Sequence, residues 1–291
     1  MRSFGDAGAV VAVFSISVNA TLRHNWRMKR VSGITTLSAA MMVAFGLVSC
    51  GTQEQTVNPT LGSSTQSTMR EAPTGDLSSL QGTTISLDPG HAGTPPPASD
   101  IVTDGRGGLK PCNTSGTAAS DGWPEHTFNW LITGQIASIL EENGATVLLS
   151  REDDSERAAC IDERAYIEND SDADAVLSLH ADGNTEGNRG FHLSAISDPL
   201  PENDADGSTK LAESLQSSML SAGFEPSNYL GVDGLYPRSD LTGLNLSTKP
   251  KVLVEFGNMQ DSTDFALLSS EEDRERLAEA IAAGLANFLQ Q

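Results

Sequence analysis

Apolar and polar positions divide the chain into three stretches. Residues 34–48 form one run of small and aliphatic residues, entered through Lys29 and Arg30 and closed by Leu47-Val48-Ser49-Cys50. Between 51 and 81, Ser, Thr, Gln, Gly and Pro prevail and large apolar residues nearly vanish. From Gly82 onward, short apolar runs alternate with segments whose apolar residues recur every three or four positions. The runs at 83–87, 145–150, 175–180, 190–195 and 251–256 predict strands. Helical spacing predicts a helix over 125–143, through Phe128, Leu131, Ile132, Ile136, Ile139 and Leu140, with Gly144 as its stop. Further helices are predicted over 163–169, 209–222 and 271–289, the last with Leu277, Ile281, Leu285 and Leu289 on one face. Residues 95–124 read as a long polar loop. This alternation predicts an α/β fold. A single domain over 82–291 is expected, built on a twisted, mostly parallel sheet with helices on both faces.

The N-terminal pattern is that of a secretory signal, with its charged, apolar and small-residue regions in order. The run is short for a spanning helix. Its ending resembles a bacterial lipobox, which makes Cys50 the expected lipidated first residue of the mature protein. Residues 1–49 then form an upstream segment and signal, with translation expected to start at Met28, and residues 50–81 form the lipidated N-terminus and a flexible tether.

Charge sharpens this picture. The 291-residue chain has 18 Lys and Arg against 39 Asp and Glu, a net charge of −21. Residues 1–49 hold five of the bases (Arg2, Arg23, Arg27, Lys29 and Arg30) and one acid, Asp6, so the mature chain carries 13 bases, 38 acids and a net −25. Such a surface repels nucleic acid and anionic headgroups. A membrane association is therefore expected through the lipid anchor only. With Cys50 set aside, Cys112 and Cys160 remain as a pair. In an oxidising compartment a disulfide is the default, closing a loop that stabilises by about 4 kcal/mol in the chain-entropy model; two reduced buried thiols are the alternative.

The candidate chemistry falls at strand ends. His91 follows the first strand in ISLDPGHAG, Glu125 opens the first helix, and His180 ends AVLSLH. Functional groups in such sheets collect beyond the carboxyl ends of strands. Two imidazoles and one carboxylate form a His2Glu zinc set, and three protein ligands leave a position for water, as in catalytic zinc sites. A strand-end histidine is also commonly a packed or solvated residue. Glu255 sits in the apolar strand KVLVEFGN, where a carboxylate is costly without a partner. It reads either as a general base or as the partner of an arginine such as Arg151, Arg164 or Arg189. His126, beside Glu125, reads as a surface residue or as one that orients substrate, and His192 as a structural one. Asp170, Asp172 and Asp174 suggest a calcium loop, but Ala175 and Ala181 stand where its glycine and bidentate glutamate belong. No G-x-S-x-G elbow points to a serine hydrolase.

Taken together, ISLDPGHAG, Glu125, VLLSRED, the Arg164 to Asn169 pair, VLSLHADG, RGF and VLVEFGNMQD resemble the zinc-dependent N-acetylmuramoyl-L-alanine amidases of type 3, with an AmiC-like catalytic domain. GRGGLKPCNTSGT, WPEHTFNW and DGLYPRSDLTGLNL resemble the actinobacterial periplasmic members. The resemblance spans about Gly82 to Leu289. It implies Zn2+ held by His91, Glu125 and His180, Glu255 as the catalytic glutamate, and cleavage of the amide between N-acetylmuramic acid and the L-alanine of the stem peptide. The implied partners are peptidoglycan or muropeptides; a monomer is expected, and the signal and lipobox place it in the cell envelope. Two departures stand out. Ala92 replaces the usual glycine after the first histidine, which is tolerable where φ is negative. The family's inhibitory helix insertion is absent between Phe191 and Leu253, which implies an unblocked site. The alternatives are a non-catalytic peptidoglycan-binding lipoprotein and a zinc peptidase acting within the stem peptide.

Overall fold

The computed structural model describes residues 75–291 apart from Glu156. The signal segment, Cys50 and most of the tether lie outside the described residues. Strands β1 (Thr84–Pro89), β4 (Thr146–Leu149), β5 (Ala175–Asp182), β6 (His192–Ser194) and β7 (Lys251–Asn258) form one sheet in the order β4-β1-β5-β7-β6. All neighbours are parallel except β6 and β7. The expected α/β architecture, single-domain and mostly parallel, is therefore what forms.

Period-two alternation gives the sheet two unlike faces. Ile85, Leu87, Leu177, Leu179, Leu193, Val252, Val254 and Phe256 point to one face and are buried in the main apolar core. Helices α1 (Glu125–Glu142), α3 (Ala205–Ser221) and α6 (Glu271–Phe288) cover that face with Phe128, Ile132, Ile136, Leu211, Leu215, Leu277, Ile281 and Leu285. The other face is polar. Asp88, Ser178, Leu253 and Ser194 pair in one row across four strands, and His180, Glu255 and His192 pair in the next across three. Helices α2 (Ile161–Asn169) and α4 (Thr242–Leu246) lie over this face, with Ile161, Arg164, Thr242 and Leu244 around a cavity of about 230 Å3. Asn169 anchors the two together: its amide donates to the Leu246 carbonyl at 2.8 Å and its oxygen accepts from the Thr248 backbone at 2.9 Å.

Several features depart from the sequence expectation, the short helix α4 among them. The stretch 95–124 contains an antiparallel hairpin, β2 (Ile101–Thr103) with β3 (Leu109–Pro111). A helix α5 (Ser262–Ser269), capped by Asp261, precedes α6. The strand expected over 190–195 forms only at its centre and runs antiparallel. The packed domain begins before Gly82: Leu80 is fully buried in the core, and the Ser79 hydroxyl donates to the Ala286 carbonyl of α6 at 2.7 Å. The short strands of the hairpin give too few alternating positions to register as a pattern.

Cys112 and Cys160 form a disulfide, with Cα atoms 4.6 Å apart. It ties the end of the hairpin to the start of α2, where the Ile161 backbone also donates to the Cys112 carbonyl at 2.9 Å. No helix among the described residues is long and apolar enough to cross a membrane.

Candidate metal centre

Three elements bring His91, Glu125 and His180 to one point, with their ligating atoms within 4.8 Å of one another. His91 follows β1 in a left-handed backbone conformation, φ 60°. This is a costly conformation for a residue with a side chain, and it persists only where surroundings fix it. Two arginines do so. Arg151 donates to the Pro89 carbonyl at 3.0 Å, and Arg164 donates to Pro89 at 3.1 Å and to the His91 carbonyl at 2.7 Å. Arg164 is itself held by buried Asp88 at 2.7 Å, which also accepts from Ser150 and Ser178. Loss of water around Asp88 raises its pKa, but Arg164, Lys251 and the serine hydroxyls outweigh that and hold the carboxyl far below its usual range. Ala92 is buried and its φ is not positive, so the alanine is accommodated; the strain sits on His91 next to it. Gly93 must stay glycine, because a Cβ there would lie 2.0 Å from the Asp154 carbonyl oxygen.

Glu125 is the first residue of α1, where the helix dipole favours an acid. Its Oε2 lies 3.1 Å from His91 Nε2 and accepts the Thr117 backbone N–H at 2.8 Å. Its Oε1 lies 2.9 Å from His180 Nδ1 and accepts from the Ala181 backbone and the Asn129 amide. Burial pushes the Glu125 carboxyl up, but the hydrogen bonds and charges of His180 and His91 hold it well below the usual carboxylate range. The Thr114 carbonyl accepts from His91 Nδ1 at 2.9 Å, which turns Nε2 toward Glu125 as the ring atom available to a metal. Burial lowers the His91 pKa, and Glu125 and Thr114 together more than reverse it. Gly116 closes over the cluster with φ +75°; a Cβ there would sit 2.5 Å from Glu125 Oε2. Two imidazoles, an ionised carboxylate and a fixed tautomer fit a divalent metal with nitrogen and oxygen ligands.

A cavity of about 420 Å3 opens over the cluster, lined by Glu125, His180, Asp182, Arg238 and Glu255 among others. Glu255 is half-buried in β7, paired in register with His180 on one side and His192 on the other. Its Oε2 is cut off from solvent without a hydrogen-bond partner. Loss of water, then the charges of Glu125 and Asp182, push its pKa well above the carboxylate range; Arg238 opposes this. The arginine-pair reading of Glu255 does not hold. Arg151 pairs with Asp154 and Arg164 with Asp88, and none of Arg151, Arg164 or Arg189 forms an ion pair with Glu255. His126 is not a free surface residue: its Nδ1 sits 2.8 Å from Asp154 Oδ1 and its carbonyl accepts from Arg151. His192 is buried between Tyr229 and Tyr236, with Nδ1 unpartnered. Thr114, Asp182 and Arg238 belong to the site without having been singled out in the sequence. For Asp182 the signal was there, since two residues past His180 on a strand is the same face. Thr114 and Arg238 sit on loops whose long-range partners no local pattern encodes.

The family model for N-acetylmuramoyl-L-alanine amidase (Amidase_3) matches residues 85–287. The chain belongs to this amidase family. An N-acetylmuramoyl-L-alanine amidase of Mycobacterium tuberculosis is 41% identical over 215 residues, covering 72% of this chain and 88% of that protein. The Ami1 amidase of Mycobacterium smegmatis superposes with a TM-score of 0.71 at 41% identity, covering 72% of this chain and 98% of that one. The apo form of Ami1 from Mycobacterium abscessus gives 0.70 at 43%, covering 72% and 99%. The matched amidase region contains all four site residues. It also contains the stretch between Phe191 and Leu253, where the inhibitory insertion is expected to be absent. There, α3 packs Leu211 and Leu215 into the core on the face away from the site.

Proposed function

We propose that this amidase hydrolyses the amide between N-acetylmuramic acid and the L-alanine of the stem peptide, with zinc held by His91, Glu125 and His180. One observation carries the reading: a two-imidazole, one-carboxylate cluster shares its cavity with an unpartnered carboxyl, Glu255, in a chain of this family. Zinc bound there would polarise the amide carbonyl and acidify a water. Glu255 takes the proton from the attacking water and hands it to the leaving nitrogen of L-alanine, which departs poorly unless protonated. Thr114 keeps the His91 ring oriented, and Arg164 and Arg151 hold the strained turn beneath it.

The Glu255→Gln protein tests this assignment. It is expected to bind zinc like the wild type and to release stem peptide from muropeptides slower by about 10²–10⁴-fold, the range for a positioned acid–base group. Wild-type release by that protein would remove Glu255 from the mechanism. In the cell the enzyme acts at the envelope, exported and anchored through acylated Cys50, with no other attachment to the membrane. Mass spectrometry of the mature protein should show a lipidated N-terminal Cys50; a mature N-terminus upstream of it contradicts the anchor.

A further inference from the structure

The cavity over the metal cluster is rich in carboxylates: Glu125, Asp182 and Glu255 all line it. Among its lining residues Arg238 is the sole Lys or Arg. The position is built rather than incidental. The Arg238 backbone donates to the Ala195 carbonyl and accepts from Ser197, both at 2.9 Å, which continues the line of β6. Its guanidinium lies over the Tyr236 ring, 5.6 Å from the centroid. Nε and Nη2 donate to the two oxygens of Asp240 at 2.8 and 2.7 Å. That bidentate contact occupies one edge of the fork, and Nη1 makes no hydrogen bond to any described residue. A guanidinium docked by one edge keeps a second, pre-oriented edge for another planar anion.

A stem peptide brings carboxylates into this acidic cavity, on a chain of net charge −21. Apart from the metal proposed at the cluster, Arg238 is the cation in this lining that can meet them. We infer that Arg238 is the specificity-determining residue that receives a free carboxylate of the stem peptide, so that the site prefers muropeptides with free acids over amidated ones. The inference rests on the amidase reading for the identity of the ligand. Asp240 serves as the brace: it fixes the guanidinium from behind and leaves one edge for the substrate.

The test is equilibrium binding in a Glu255→Gln background, where the ligand stays intact. The probes are N-acetylmuramyl-L-alanyl-D-glutamate with both carboxyls free and the same compound with both amidated. The Glu255→Gln protein is expected to bind the acid at least about tenfold tighter than the diamide, roughly the gain from one charge-assisted pair. Adding Arg238→Gln should bring the acid down to the affinity of the diamide. Adding Arg238→Lys, which keeps the charge and lacks the second edge of the fork, should fall between the two. A full preference for the acid in either Arg238 variant would overturn the inference, as would no preference in the parent. The Lys variant guards against a Gln variant that fails to fold. Because turnover is not read here, an acid preference that depends on Arg238, together with a wild-type protein that releases no stem peptide, would sink the amidase reading and leave this one standing.

Discussion

His192 shows how one residue can be conspicuous in chemistry and still serve structure. It sits in the same cross-strand row as Glu255 and His180, yet two tyrosine rings enclose it and it does not line the cavity. Burial lowers its pKa from 6.5 to about 4, against a smaller opposing effect of Asp182. The neutral ring is therefore the form the fold accepts. As pH falls below the unfolded value near 6.5, the unfolded chain takes up a proton that the folded one refuses, and stability drops until about pH 4. The full difference is about 3 kcal/mol. Denaturant melts between pH 7 and 4 should show this loss in the wild type and a shallower one in His192→Gln. Equal slopes would mean that the ring is not buried as described. The residues of the cluster were legible because each sits at the boundary of a recognisable element: His91 ends the turn after β1, Glu125 begins α1, and His180 lies near the end of β5. What the sequence could not supply is the strain on His91, since left-handed geometry at a histidine follows from Arg151 and Arg164 gripping the turn from distant segments.

At the level of elements, the hairpin and α2 act as a unit that frames the site. The disulfide joins them, and Thr114, two residues past Cys112, carries the carbonyl that orients His91. A crosslink separated by 48 residues stabilises by about 4 kcal/mol in the chain-entropy model. The Cys112→Ser/Cys160→Ser protein should melt on the order of 10 °C lower. It should also bind zinc more weakly, as measured by competition with a chromophoric chelator, because the Thr114 carbonyl is less firmly held. A variant that melts lower with unchanged zinc affinity would confine the disulfide to stability. The pairing of these cysteines followed from count and compartment alone. The hairpin they anchor did not, because three-residue strands inside a polar stretch leave no readable period.

For the whole molecule, the decisive feature is the contrast between the two faces of one sheet. Strands β1, β5 and β7 were legible in the sequence as short apolar runs, and one set of their alternate positions forms a core face sealed by α1, α3 and α6. The same alternation sends Asp88, Ser178, His180 and Glu255 to the opposite face, where buried polar groups must find partners or do chemistry. Asp88 and Ser178 are fully partnered; Glu255 Oε2 is not, and it faces the cavity beside the metal cluster. Strand order made this visible only in three dimensions, since β7 lies beside β5 although some seventy residues separate them in the chain. The central claim is that this face hydrolyses the muramyl–L-alanine amide with a bound metal. Digestion of purified muropeptides, followed by mass spectrometry, tests it most directly. Free stem peptides beginning at L-alanine should appear, vanish on chelation and return with zinc; glycopeptides that keep L-alanine but lose part of the stem would contradict it.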